Sequence, residues 1–289
     1  MSAKASWQHR AFDRVLRIIG FRKRYWAKFD GIYRPEPIKI PATVMRGRNV
    51  GEETFDGHLM RWLDPKGREP DGYIIGFHGG GYVAEASPGH YGAYAALADR
   101  TGMRVYAPHY PLAPFHTPER IRDWARSIVK TMQARHPDTP LLMTGDSAGA
   151  NLVLQLNEIG VRAKRILLWS PWLDIAGENP EILMRDGACA LLRGEGMREF
   201  AALYHAHEDP RDPMLSPLRR DMEDLPPTLI ISGEQDLLHP DIVAWCDRRV
   251  EQGEAVELIS APHVWHDYML LPTPEARMAL QASADFLKG

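Results

Sequence analysis

Gly145-Asp146-Ser147-Ala148-Gly149 is the stretch of this chain best built for chemistry. A serine hydroxyl becomes a nucleophile when a base takes its proton, and small flanking residues let the backbone turn sharply enough to expose the oxygen. Leu141-Leu142-Met143 leads in as a short apolar run, and Asn151-Leu152-Val153-Leu154-Gln155-Leu156 reads as a helix leading out. Strand, G-x-S-x-G, helix is the context such an elbow requires. Five residues also occur by chance, and the alternative is a glycine-rich turn. What decides is whether a base, an acid to orient it and donors for an oxyanion fall where this serine needs them.

They do, in chain order. Asp236 lies in Gly233-Glu234-Gln235-Asp236-Leu237-Leu238, just after the apolar run Leu229–Ser232. His266 lies in Ala261-Pro262-His263-Val264-Trp265-His266-Asp267-Tyr268, after the run Val256–Ile259. Glu234 is a rival for the acid and His263 for the base. Gly79 and Gly80, in His78-Gly79-Gly80-Gly81-Tyr82, follow the apolar run Tyr73–Phe77 and let backbone N–H groups approach a substrate oxygen. The N–H of Ala148 would be a third donor. The glycine loop matches neither G-x-G-x-x-G nor G-x-x-x-x-G-K-[ST], which argues against nucleotide binding. His90, His109, His116, His205 and His207 show no spacing with a carboxylate that demands a metal, so neither metal nor cofactor is expected.

The elements that must hold these residues alternate. Thr43–Arg46 and His58–Trp62 read as a first hairpin of strands, then Tyr73–Phe77, a helix from Tyr91 to Arg100, and a strand at Met103–Ala107. A helix from Thr117 to Arg135, the serine strand and helix, and a strand at Arg165–Trp169 follow. The last units are strands at Thr228–Ser232 and Ala255–Ile259, with helices from Pro240 to Gln252 and from Thr273 to Lys288. Strand–helix repeats with near-continuous apolar strands predict an α/β fold with an eight-stranded, mostly parallel sheet covered on both faces. Between Trp169 and Thr228 no strand is legible; Gly194–His207 reads as a helix, and the stretch predicts a cap over the strand ends. Residues 1–50 are the other part outside the alternation. The expected division is an N-terminal cap segment (1–50), a first part of the core (51–170), a cap insertion (171–215) and a second part of the core (216–289).

Composition bounds the rest. A chain of 289 residues with 44% hydrophobic and 25% charged residues can bury a sizeable core. Two cysteines form no ligand spacing or disulfide framework, and no run of eighteen apolar residues or signal-peptide core is present, so a cytoplasmic protein with no stable membrane insertion is expected. The net charge of −3 hides a basic start: residues 1–50 carry +9 and the remainder −12. Trp7, Ala11, Val15, Ile18 and Ile19 recur at helical spacing among those charges, widened by Phe12 and Leu16, which predicts an amphipathic helix packed on the body rather than a nucleic-acid or membrane arm.

His78-Gly79-Gly80-Gly81, Gly145-Asp146-Ser147-Ala148-Gly149, Gly233-Glu234-Gln235-Asp236 and His266 together resemble the hormone-sensitive-lipase family of α/β-hydrolases. Asp209-Pro210-Arg211-Asp212-Pro213-Met214-Leu215-Ser216-Pro217 and Leu225-Pro226-Pro227 resemble that family's approach to the acid strand. The likeness runs from about Tyr73 to the C-terminus. It implies an α/β-hydrolase fold with a helical cap built from the N-terminus and the insertion, and a serine carboxylesterase with Ser147, Asp236 and His266 as its triad. It also favours Asp236 over Glu234 and His266 over His263. The chain departs at Ala150-Asn151, where a third small residue is common, and at Asp267-Tyr268, where Gly or Ala and then Phe are common. Asp267 places a carboxylate beside the base, which leaves the pH optimum open. His78 is expected to brace the oxyanion loop and Asp146 the elbow. Tyr82, Trp172 and Phe200 are candidates for the substrate pocket, Trp169 for pocket or core. Met184, Leu191, Leu192 and Met197 are expected with Phe200 inside the cap. The expected partner is a small-molecule ester. A lactone, carbamate or amide substrate, a non-catalytic receptor on the same scaffold, and a homodimer stay open.

Overall fold

The computed structural model describes residues 4–29, 35–221 and 224–289. Eight strands form one sheet: β1 (Val50–Phe55), β2 (His58–Leu63), β3 (Tyr73–Phe77), β4 (Arg104–Pro108), β5 (Leu142–Asp146), β6 (Arg165–Trp169), β7 (Thr228–Gly233) and β8 (Val256–Ala261). Their order across the sheet is β1-β2-β4-β3-β5-β6-β7-β8. Only β1 and β2 run antiparallel to their neighbours; from β4 to β8 all pairings are parallel. The helices are α1 (Trp7–Ile18), α2 (Phe21–Trp26), α3 (Ala42–Met45), α4 (Pro88–Thr101), α5 (Pro118–Arg135), α6 (Ser147–Glu158), α7 (Pro180–Met184), α8 (Gly194–His205), α9 (His239–Glu251) and α10 (Pro274–Lys288). Among the described residues, no helix is long and apolar enough to cross a membrane.

Every residue of β3, β5 and β7 is buried, as expected of parallel strands covered on both faces. Two apolar clusters do the covering. On one face Trp124 and Ile128 of α5, Leu152 of α6 and Trp245 of α9 pack together. On the other, Tyr94 and Leu97 of α4 meet Leu280 and Ala284 of α10.

The first strand is not where the pattern placed it. Thr43–Arg46 belongs to a helical turn, α3, begun by Pro41, and the strand paired with β2 is Val50–Phe55. The signal that fixes it is Asp56-Gly57. Both residues have positive φ (46° and 77°), the requirement of a tight two-residue hairpin, and Phe55 therefore faces His58.

Residues 4–29 and the stretch between β6 and β7 meet. Trp26 donates its indole N–H to the Leu191 carbonyl at 2.9 Å, and its ring lies 4.6 Å from that of Phe200. A Cβ on Gly196 would stand 2.4 Å from the Trp26 ring, so α8 needs a glycine there to let the indole in. The rotation of α1 differs from expectation. Trp7 and Ile18 are 68% and 77% exposed, and Val15 and Ile19 are exposed too, while the helix packs through His9, Phe12 and Leu16. Polar anchors at its two ends set this rotation: Ser6 Oγ donates to Glu275 at 2.9 Å, and Arg17 donates to the Gly187 and Ala188 carbonyls, each at 2.8 Å.

Candidate active site

Strand β5 ends at Asp146 and α6 starts at Ser147, with no residue between them. Ser147 has φ 50°, a conformation L-residues rarely adopt, held because both neighbouring glycines permit close contact. A Cβ on Gly145 would lie 2.5 Å from the Gly149 backbone, and one on Gly149 would lie 2.0 Å from the Phe77 carbonyl oxygen. The turn thus compresses the backbone against β3 and sets the serine at the N-terminus of α6, where unpaired amides and the helix dipole favour negative charge.

Asp236, in the loop after β7, is fully buried. Its Oδ1 accepts the Leu238 N–H at 3.0 Å, and its Oδ2 accepts from His266 Nδ1 at 2.8 Å. That bond fixes the imidazole tautomer and leaves Nε2 for other work. In the structure Nε2 is met by Asp267 Oδ2 at 3.0 Å. Asp267 is itself in the left-handed region (φ 52°), and its N–H donates to Ser170 Oγ at 3.3 Å. Burial alone would lower the His266 pKa, but the two carboxylates on its two nitrogens outweigh it and raise that pKa well above the usual histidine range. Burial pushes the Asp267 carboxyl up, with the nearby Asp146 and Asp236 charges adding to the effect.

The glycine loop is braced from three sides. Tyr110 donates its hydroxyl to the His78 carbonyl at 2.6 Å, and His78 Nδ1 lies 2.7 Å from the Gly79 carbonyl. Asp146 Oδ2 accepts the Gly79 N–H at 2.9 Å and sits 2.9 Å from His90 Nε2. The Gly79 amide is therefore committed to the carboxylate before the serine, so its expected role as an oxyanion donor does not hold. Gly80, with φ 113°, faces the cavity instead, and a Cβ there would come within 2.6 Å of the Ala84 carbonyl oxygen. The N–H of Ala148 lies in the first turn of α6, whose amides lack partners within the helix.

Ser147, His266, Asp267 and Gly80 open onto one cavity of about 420 Å³. Its walls are mostly apolar and draw on both outer segments, Trp26 and Phe29 from one packing directly on Phe200 from the other, with Leu192 and Met197 beside them. Of the three pocket residues expected, Phe200 is there. Tyr82 is not: it is fully buried, stacked on Tyr204 at 3.7 Å, and its hydroxyl donates to Asn151 Oδ1 at 2.6 Å. Its positive φ of 63° turns it away from the cavity into that polar network. Trp172 is also buried away from the cavity, its indole N–H on the Asp174 carbonyl at 3.0 Å, and Trp169 is core, bonded to Ser283. Met184 is 74% exposed, outside the cap interior expected for it. Of the rivals, Glu234 is exposed, and His263 lines a different groove beside α1. Sequence reasoning missed Trp26 and Phe29; the aromatic spacing Phe21, Tyr25, Phe29, with Trp26 beside it, was the available signal.

A family model described as the alpha/beta hydrolase fold matches residues 74–270. An acetyl-hydrolase of Streptomyces hygroscopicus is 32% identical to this chain, the match covering 91% of this chain and 92% of that protein. An ethyl acetate hydrolase of Pseudomonas putida is 30% identical over 75% of this chain and 73% of its own. The crystal structure of a hormone-sensitive lipase from a metagenome library superposes with a TM-score of 0.81 at 21% identity, covering 99% of each chain.

Proposed function

Because this chain belongs to the α/β-hydrolase fold family and is a carboxylic-ester hydrolase, we propose that it cleaves short- to medium-chain carboxylic esters through an acyl-enzyme on Ser147. The observation that carries the reading is one cavity reached by both the strained Ser147 elbow and an imidazole already oriented by Asp236. Ser147 Oγ attacks the ester carbonyl while His266 Nε2 takes its proton. Asp236 holds the tautomer and balances the imidazolium. The N–H groups of Gly80 and Ala148 stabilise the tetrahedral oxyanion, and Asp146 serves by holding the glycine loop against the elbow. His266 then protonates the departing alcohol, and water repeats the sequence on the acyl-enzyme. A cavity of about 420 Å³ is at the small end of ligand pockets, which run from roughly 300 to 1,000 Å³, and its apolar walls favour a compact acyl group.

Labelling with a fluorophosphonate tests this. The adduct is expected on Ser147, and Ser147→Ala is expected to lose turnover of p-nitrophenyl esters by a factor on the order of 10⁶. An adduct on another residue, or a Ser147→Ala enzyme of undiminished activity, would refute the assignment.

A further inference from the structure

Behind the glycine loop lies a second group of side chains that ester hydrolysis does not use. His78 Nε2, Glu85 Oε2 and His109 Nδ1 all lie within 4.8 Å of one another, drawn together from the end of β3, the loop after it and the loop after β4. We propose that these three atoms form a divalent-cation site of the zinc class, a site distinct from the cavity chemistry at Ser147.

The first argument is an unpaired lone pair. His78 is 2% exposed, and its Nε2 has no hydrogen-bond partner among the described residues. Its Nδ1 stands 2.7 Å from the Gly79 carbonyl, which can only accept, so the proton is on Nδ1 and the lone pair on Nε2. The bare nitrogen then points at a carboxylate oxygen, Glu85 Oε2, 3.7 Å away. Two electron-rich atoms facing each other in a buried place are stabilised by a cation between them.

The second argument is the outer shell. Ligating imidazoles ordinarily donate their other N–H to a carbonyl or a polar side chain, which fixes the ring. His78 does so to Gly79, and His109 Nε2 has Tyr91 Oη at 2.8 Å. Tyr91 Oη in turn accepts from Arg61 at 2.6 Å. His109 Nδ1 now shares a short hydrogen bond with Glu85. For an ion to take that place, the His109 proton moves to Nε2, where Tyr91 Oη accepts it, and Nδ1 becomes a ligand.

Two imidazole nitrogens and one carboxylate oxygen suit Zn²⁺, with a fourth position left for water. Tetrahedral ligands about 2.0–2.1 Å from zinc sit roughly 3.3 Å apart, so His78 must close slightly on Glu85 and His109 must open from it. Access exists: Glu85 and His109 line a cavity of about 420 Å³ whose rim carries His58 and His116.

The test uses the full chain, freed of any histidine tag and stripped with chelator. Isothermal titration with Zn²⁺ is expected to give one equivalent per chain, and Co²⁺ is expected to give the visible absorption of a four- or five-coordinate nitrogen–oxygen site. Glu85→Gln and His109→Gln should each weaken binding by more than the 10–100-fold typical of losing an outer-shell partner. The rim variant His58→Ala/His116→Ala should bind as the wild type does. If the ligand variants misfold, a Zn²⁺-soaked crystal of the wild type decides by anomalous scattering. A peak between His78, Glu85 and His109 supports the site. No stoichiometric binding, binding that survives Glu85→Gln in folded protein, binding lost in the rim variant, or a peak elsewhere would overturn it.

Discussion

Ser147 and His266 are held ready by side chains that themselves do no chemistry, and Asp267 is the one that works against them. Its carboxylate occupies His266 Nε2, the atom that takes the serine proton in the proposed mechanism. Both Asp236 and Asp267 favour the imidazolium, whereas the proposed mechanism needs the neutral ring, so activity is expected to rise as pH climbs through the His266 pKa. Asp267→Asn removes one of the two charges. The acid limb of kcat/KM should then move to lower pH, and turnover near neutrality should increase; a pH–rate profile of both enzymes checks it, and an unmoved limb would show that Asp267 does not load the base. At Gly80 the direction is opposite. Gly80→Ala puts a Cβ 2.6 Å from the Ala84 carbonyl at a backbone φ of 113°, so the donor must shift. If Gly80 is the oxyanion donor proposed above, its loss is expected to cost on the order of 10²–10³ in kcat, which steady-state kinetics would register with KM little changed.

At the scale of elements, the sheet was legible because β-rich apolar runs separated by helical periodicity leave few other folds, and seven of the eight strands sit where those runs are. The first was misplaced since Thr43-Val44-Met45 satisfies strand propensity locally, while the decisive signal, Asp56-Gly57, lies at the other end of the true strand. The face of α1 was misread for a related reason: periodicity counts apolar residues, but Ser6–Glu275 and Arg17 with two carbonyls decide which side faces in. Tyr82 was placed in the pocket on chain position alone, and no sequence rule foretells that its hydroxyl has a buried amide to meet. That network explains the departure at Asn151. Its Nδ2 donates to the Trp172 and Leu215 carbonyls at 2.7 and 2.9 Å, and its Oδ1 accepts from Tyr82 and from Gln155. Helix α6 is thereby tied to the loop after β6, to the approach to β7 and to the glycine loop. Asn151→Leu strands the two buried carbonyls of Trp172 and Leu215. At about 1–3 kcal/mol for each buried group left unsatisfied, urea denaturation should show a loss of several kcal/mol.

For the whole molecule, the roof over Ser147 belongs to both ends of the fold's history in sequence, residues 4–29 and the stretch after β6. Removing residues 1–29 takes away Trp26 and Phe29 from the cavity wall and the indole that fills the notch at Gly196. Activity on water-soluble short esters should therefore fall along with activity on emulsions. A truncated enzyme that kept the first and lost only the second would make α1 a lipid-binding arm instead of a wall. The body beneath relies on no covalent cross-link. Cys189 and Cys246 are both free and buried, and burial pushes the Cys246 thiol up to about 12. Ellman's reagent should find neither thiol in the native protein and both in denaturant, and the melting temperature should not respond to dithiothreitol.

The shared roof also has a consequence for how the protein is made. Phe12, Leu16, Tyr25, Trp26 and Phe29 leave the ribosome well before the side chain that covers Trp26, Phe200, which is some 170 residues behind. At about 5–20 residues per second, that is a wait of roughly ten to thirty seconds. During it Trp26 lacks the Phe200 ring that covers it. The cavity therefore closes only once the residues around Phe200 have been synthesised.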